Sequence, residues 1–503
     1  VNERYMGVDI GTTGVRAALF DVDGFQRGYA YQEYPLLSPE TGAAELDPET
    51  VFAALLEVVG RCMAGAGTEG KGLKGIGLST QMFSFLALDA QGTPLTNVVT
   101  WADTRPLPQA LRYAEEFDVA DLYRRTGCRT QHPMYPLAKI LWLKETRPDV
   151  FERAAKFLSL KSYMLFRLFG RYVVDYTDAS ASSLFNLRTF DWDPVMLGSV
   201  LGIGRERLCE PMPGTGLLTG MDRNHAVAMG LPGDVPVACG AGDGIVANLG
   251  CGVFDATAMS CTLGTSGALR VAVDQPLLDP LQRTWCHCFT KDTWVAGGAI
   301  NNGGLVLKWL RETFRDQFAP EAERGGYRSV YALFDAYAGQ IPAGSDGLLF
   351  LPLLTGERSP NWNAAARGVM AGLDLRHDRR HFVKAAMEGV MYRMRSVYEV
   401  LAPLAGDDVR QIRANGGYAG SEAWLRIQAD VFGKEIAVAG VEEAASFGAA
   451  VLAMVGTGAL PDLKRPLPAM QVKRTIVPDP ANAKVYETGF RDFLDLYGKM
   501  YGA

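Results

Sequence analysis

The sequence predicts a mixed α/β protein built from two similar halves with a ligand cleft between them. Three observations carry this expectation. Residues 5–78 run in the order strand pair, amphipathic helix, buried strand, which belongs to a mixed α/β domain. The opening "GVDIGTTGVRAALF" has an echo at residues 257–273, "TAMSCTLGTSGALRVAV": strand, Gly-Thr-Thr-Gly or Gly-Thr-Ser-Gly turn, strand. The chain has 503 residues, which suits two to four domains and lets each half open with its own copy of this unit. The boundary is expected within "GAGDGIVANLGCG", giving halves of residues 1–250 and 251–503.

Taken in order, the first strand pair ends near Phe20, and Asp21-Val22-Asp23-Gly24 reads as a hairpin turn. Asp9 is the odd residue there, because it stands between Val8 and Ile10, ahead of the glycine turn. Either it faces an edge, or it holds a metal beside a phosphate loop. Apolar spacing at Val51, Phe52, Leu55, Leu56, Val58 and Val59 predicts a helix, and Gly75–Leu78 a buried strand. In "TWADTR", Trp101, Asp103 and Arg105 alternate, so an extended segment places an aromatic, an acceptor and a bidentate donor on one face. That set suits a polyhydroxy substrate, or else a surface ion pair over a buried tryptophan.

The strand Val235–Cys239 runs into Gly240, Gly242 and Gly244 around a single Asp243. Those glycines let another group approach the backbone, and Asp243 either points into a cleft or caps a helix beginning near Ile245. In "GGAINNGGLVLKWLRETF", Asn302 or its neighbour can cap a helix with Val306, Trp309, Leu310 and Phe314 on its apolar face. "IRANGGYAGSEAWLRIQADVFG" reads as a strand, a double glycine, a Ser421 cap and a helix ended by Gly433. Both stretches offer bare backbone on which a flat ring could rest.

Several functions are excluded. The formal charge of −6 and the absence of a basic block argue against a nucleic-acid partner. No apolar run reaches the ~18–20 residues of a membrane span, and the first residues lack the pattern of a signal peptide. HExxH, GxSxG and GxxxxGK[ST] are absent, so zinc protease, serine hydrolase and P-loop chemistry fall away. Eight scattered cysteines form no CxxC, and Cys286-His287-Cys288 is too short for a zinc site. Reduced thiols and a cytoplasmic protein are expected.

The ordered set of "GVDIGTTG", "WADTR", "GAGDG", "GTSG", "NNGG" and "NGGYAGSEAW" resembles the FGGY carbohydrate kinases, a family with two actin-like, ribonuclease-H-like domains. The likeness runs from about Met6 to about Gly458. It includes Gly368-x-Met370-x-Gly372-Leu373 with His381-Phe382 and Ala385-Ala386-Met387-Glu388. The shorter signature from Met134 through Pro136, Lys139-Ile140 and Trp142-Leu143 is nearly complete, departing at Thr146. Within the family, "TWADTR", "HPMYPLAKILWL", "VVDYTDASA", "NLRTFDWD" and "LTGERSPNWN" are most similar to gluconokinases.

The resemblance implies ATP-dependent phosphorylation of a terminal hydroxyl, D-gluconate being the first substrate and xylulose or another ketose or polyol the alternative. An actin-like ATPase without sugar kinase activity is the distant alternative. It implies Asp243 as general base, and Asp9 with Asp243 at Mg²⁺. Gly11, Thr12, Thr13 and Arg16 would hold one side of the triphosphate, and Gly264, Thr265 and Ser266 the other. Asn302, Gly303, Gly416, Gly417 and Ser421 would form the adenosine site. Gln81, Met82, Trp101, Asp103 and Arg105 would shape the sugar site, with Arg105, His132 and Arg358 as candidates for a substrate carboxylate. Phe83 stands where many relatives have a histidine that hydrogen-bonds sugar hydroxyls, so a different pentitol, ketose or sugar acid also fits the pattern. A hinge closing on ATP is expected, and the oligomeric state is open, a homodimer included.

Overall fold

The structure, a computed structural model, describes residues 3–67, 69–406 and 408–502. In the first half, β1 (Arg4–Ile10), β2 (Gly14–Asp21) and β3 (Gln26–Glu33) form an antiparallel meander. It is followed by α1 (Pro48–Ala66), β4 (Leu73–Thr80), β5 (Leu217–Leu218) and β6 (Val237–Gly242). Asp47 caps α1 by accepting from the backbone of Glu49 and Thr50, and the apolar face Val51, Phe52, Leu55, Val58 and Val59 is buried. The sheet order is β5-β6-β4-β1-β2-β3, with β4 parallel to both β1 and β6.

The second half begins after α2 (Asp243–Gly250). It contains β7 (Ala258–Leu263), β8 (Gly267–Val273), β9 (Trp285–Thr290), β10 (Thr293–Ile300) and α3 (Leu305–Thr313). Then come α4 (Arg379–Leu404), β11 (Gln411–Asn415), α5 (Glu422–Phe432), β12 (Glu435–Ala439), α6 (Ala444–Gly456) and β13 (Val472–Ile476). The order is β9-β10-β8-β7-β11-β12-β13, with β11 parallel to β7 and β12. Leaving out β9, this repeats the first sheet in order and direction: three antiparallel strands, two parallel ones, one antiparallel edge. The echo between residues 7–20 and 257–273 is therefore the first hairpin of each repeat.

The two halves exchange helices. α6 lies across β1 and β4 of the first sheet, and α2 packs toward the second. Glycines make the approach possible, since a Cβ on Gly7 would sit 1.6 Å from the Ser446 carbonyl oxygen and one on Gly77 1.8 Å from that of Ala449. α2 and α6 themselves cross in the same way, Gly250 against Ala444 and Gly448 against Val246. The catalytic candidate Asp243 is the first residue of α2, so it stands at the junction of the halves.

Candidate active site

Asp9 and Asp243 come together at this junction. β1 pairs with β2 in a register that sets Asp9 opposite Arg16, whose Nε lies 3.6 Å from the Asp9 carboxylate. The Ser79 hydroxyl donates to Asp9 Oδ1 at 2.6 Å. Burial, reinforced by the nearby charge of Asp243, pushes the Asp9 carboxyl up to about 6. Arg16 also reaches Glu443, 3.1 Å away at the start of α6, so it ties the halves together.

Asp243 is held from behind. Its Oδ1 accepts from the Gly244 backbone at 2.6 Å, and Gly242, not Asp243, is the N-cap residue of α2. The Gly242 N–H donates to the Thr177 hydroxyl at 2.6 Å, and that hydroxyl donates to Asp175. Asp175 lies 2.7 Å from the buried Lys161 ammonium, which also faces Asp178. Gly240 at φ +87° fits beneath the Leu78 carbonyl, and Met82 passes directly over Gly242. Burial raises the Asp243 carboxyl above its ordinary range, with the Arg270 guanidinium opposing. Arg270 reaches this point from β8 because Gly244 has no side chain: a Cβ there would sit 2.5 Å from its Nη2.

The two Gly-Thr turns sit at the ends of β1 and β7. In the first, Gly11 N–H donates to the Gly14 carbonyl, and Tyr34 pins the Gly11 carbonyl from its hydroxyl at 2.6 Å. The Thr12 hydroxyl already donates to Gln81 and accepts from the Trp101 indole N–H at 3.0 Å. It therefore offers no proton of its own to a phosphate, and the donors left to this turn are backbone N–H groups and the exposed Thr13. In the second turn the Gly264 and Thr265 carbonyls accept from Gly304 and Gly303.

Beside it opens a cavity of about 470 Å³ whose lining includes Gly264, Thr265, Gly304, Gly417, Ser421 and Asp335. Ser421 caps α5 through the Trp424 N–H and donates its proton to Asp335 at 2.8 Å. Asn302 does not reach the cavity as a ligand group. It is buried, donates to the Gly356 carbonyl and accepts from Thr355, so it anchors the turn that Gly303 and Gly304 present. Helix α3 is capped by Gly304, and Trp309, expected on its apolar face, is 37% exposed.

Residues 101–105 turn instead of extending, with Asp103 N–H bonded to the Thr100 carbonyl. Trp101 alone faces the cleft. Asp103 is fully buried and accepts from the Ala44 backbone and Arg105, while Arg105 pairs with Glu40 and Glu45 and stacks on Trp142. The expectation that these two bind sugar is corrected by that saturation: every charge on them is already met.

The other candidates gather at the cleft. Arg358, from the second half, lies with its guanidinium carbon 5.8 Å from the Trp101 ring and donates to Asn301. Burial lowers it to about 10, so it stays cationic at neutral pH. His132 accepts from Met134 N–H, packs edge-on to Trp362 at 5.5 Å, and is pushed down to about 3 by burial and by Arg358, Lys139 and Arg129. A neutral imidazole is not a cation, and with Nδ1 accepting from Met134 its Nε2–H is the donor His132 keeps for a substrate oxygen. Arg129, over the same Trp362 ring at 5.4 Å, is the cation the sequence did not single out. Phe83 adopts φ +66°, its carbonyl bound by the buried Lys139 ammonium.

Among the described residues no group of three or more His, Cys, Asp or Glu side chains could hold a metal ion, and no helix is long and apolar enough to cross a membrane. Asp9 and Asp243 fit a divalent ion that shares its shell with phosphate and water, because each carboxylate is buried and the charge of Asp243 adds to the cost of ionising Asp9.

Comparison with known proteins places these features in context. A model of the FGGY family of carbohydrate kinases, N-terminal domain, matches residues 4–250, and that of the C-terminal domain matches 259–457. A gluconokinase of Bacillus subtilis is 36% identical over 493 residues, 98% of this chain and 95% of that one. The crystal structure of gluconate kinase from Lactobacillus acidophilus superposes with a TM-score of 0.92 at 30% identity, covering 99% of this chain and 98% of that one. A ligand-bound xylulose kinase of the same organism gives 0.91, also at 30% identity, with the same coverage.

Proposed function

The chain belongs to the FGGY family of carbohydrate kinases, and we propose that its substrate is a sugar acid, D-gluconate, phosphorylated at its terminal hydroxyl. The protein is an ATP-dependent carbohydrate kinase. The observation that carries the sugar acid is the convergence of two guanidinium groups, Arg358 over Trp101 and Arg129 over Trp362, on His132. A linear acceptor whose terminal hydroxyl meets Asp243 would offer those guanidinium groups its carboxylate. The gluconokinase likeness over nearly the whole chain supports the same choice.

In this reading Asp243 takes the proton of the terminal hydroxyl as its oxygen attacks the γ-phosphorus and the bond to ADP breaks. A raised carboxyl, closer to working pH, suits a group that must accept a proton only as the new bond forms. The Thr177 hydroxyl and Lys161–Asp175 pair fix the backbone that aims it. The Gly11–Thr13 and Gly264–Ser266 turns grip the phosphates, and the cavity beside Ser421 takes the adenosine. Mg²⁺ held by Asp9 and Asp243 would neutralise charge on the phosphate oxygens. Eight buried free cysteines and ATP dependence support a cytoplasmic setting.

A neutral ketose is the second reading. It is favoured by Arg358 already donating to Asn301 and to the Ile300 carbonyl, which leaves less of its fork for a carboxylate. The test is ADP release with Mg²⁺-ATP against gluconate, xylulose, ribulose, glycerol, erythritol and xylitol, run in parallel on Asp243→Asn. Gluconate turnover lost in the variant supports the proposal. A preference for xylulose refutes the sugar acid, and turnover untouched by Asp243→Asn refutes the base.

A further inference from the structure

We propose that His287 is a hydrogen-bonding residue of the acceptor-sugar site, meeting a hydroxyl of the polyhydroxy chain. This rests on the kinase reading above and adds a specificity residue to it. Alternation along β9 sends Trp285, His287 and Phe289 to one face and Cys286 and Cys288 to the other. The ladder sets both Trp285 and Arg270 opposite Gly297, so His287 shares its face with the arginine that borders Asp243. That face packs on α2, whose first residue is Asp243.

The imidazole stacks on Trp285 at 4.7 Å and meets the edge of Phe83 at 5.9 Å. It is fully buried, yet neither Nδ1 nor Nε2 has a hydrogen-bond partner. Burial, with the charge of Arg270 beside it, pushes the ring down to about 3, so at working pH it carries one N–H donor and one acceptor. A purely structural ring here would be better served by phenylalanine, because unmet buried polar atoms cost stability. A sugar hydroxyl both donates and accepts, which is the complement of a neutral imidazole. The half-buried Phe83 follows Met82, the residue over Gly242, so an acceptor arriving at Asp243 meets Phe83 before His287. Acceptor binding turns the Phe83 ring aside and gives His287 its missing partner.

The test compares His287→Phe and His287→Gln with the wild type, using whichever acceptor of the panel the wild type phosphorylates. If that is not gluconate, the sugar-acid reading fails while His287 is still judged on the true acceptor. The expected result for His287→Phe is an acceptor KM raised about tenfold or more, the loss of one well-made hydrogen bond. Its KM for ATP should not change, and its Tm should equal or exceed the wild type's. His287→Gln should recover part of the acceptor KM. An acceptor KM within twofold of wild type in His287→Phe overturns the proposal. So does a joint rise in both KM values with a lowered Tm, which marks a structural ring. Independently, the ¹⁵N resonances of the His287 ring should shift on adding acceptor without nucleotide, and unmoved resonances overturn the assignment.

Discussion

Asp9→Asn separates what the carboxylate does for the chemistry from what it costs the fold. Burial and the neighbouring Asp243 raise this carboxyl from 3.8 to about 6, so the folded protein holds its proton more tightly than the unfolded chain does. The cost is absent below pH 4, where both states are protonated, and grows as pH rises to 6, above which it is complete. Converted at 1.36 kcal/mol per tenfold, ionised Asp9 destabilises the ligand-free protein by about 3 kcal/mol at pH 7.5 and by about 1.5 kcal/mol at pH 5. Asparagine removes the charge and keeps an oxygen for the Ser79 hydroxyl, which donates to Asp9 at 2.6 Å. The variant should therefore melt higher than wild type in EDTA at pH 7.5, with the gap narrowing at pH 5, while Mg²⁺-dependent ATP turnover collapses. The assay is thermal melting of both proteins at the two pH values, beside ADP release. A variant that melts no higher at pH 7.5, or a gap that stays constant with pH, refutes the electrostatic account of this site.

What the sequence disclosed, and what it hid, follows from where each partner lies. Asp9 was legible because it is a lone charge inside an apolar strand run that ends in glycine, and Asp243 because it stands alone among three glycines where such a run ends. Ser421 and Gly433 were legible because caps act within a few residues of themselves, and the structure has both, Gly433 at φ +60°. Periodicity failed at Trp101–Arg105, since alternation has meaning only along an extended segment and this one turns on the Thr100 carbonyl. Arg270 left a signal, a single charge in the strand "GALRVAV", but nothing local said that Gly244 makes room for it. Asp335 left none: its partner Ser421 is 86 residues away. Lys161, Asp175 and Asp178 likewise acquire meaning only when Thr177 is seen under Gly242.

Three further substitutions test the reading of individual residues. Arg105→Ala should leave the acceptor KM within twofold of wild type and lower stability by about 3 kcal/mol, because it strands the fully buried Asp103. A raised KM at unchanged Tm would return Arg105 to the sugar site. Gly77→Ala and Gly65→Ala make the same chemical change with opposite expected sign. At Gly77 the new Cβ falls 1.8 Å from the Ala449 carbonyl oxygen, and neither β4 nor α6 can yield without parting the halves. The loss should be about 3 kcal/mol or more, read as a fall in Tm together with lost turnover. At Gly65, exposed in α1, no atom lies within 4 Å of the new Cβ, and alanine should stabilise by about 0.5–1 kcal/mol through helix propensity alone. Equal Tm shifts for the pair would mean that α6 is not seated on the first sheet by backbone contact, and with it would go the argument that glycines set the junction where Asp243 stands.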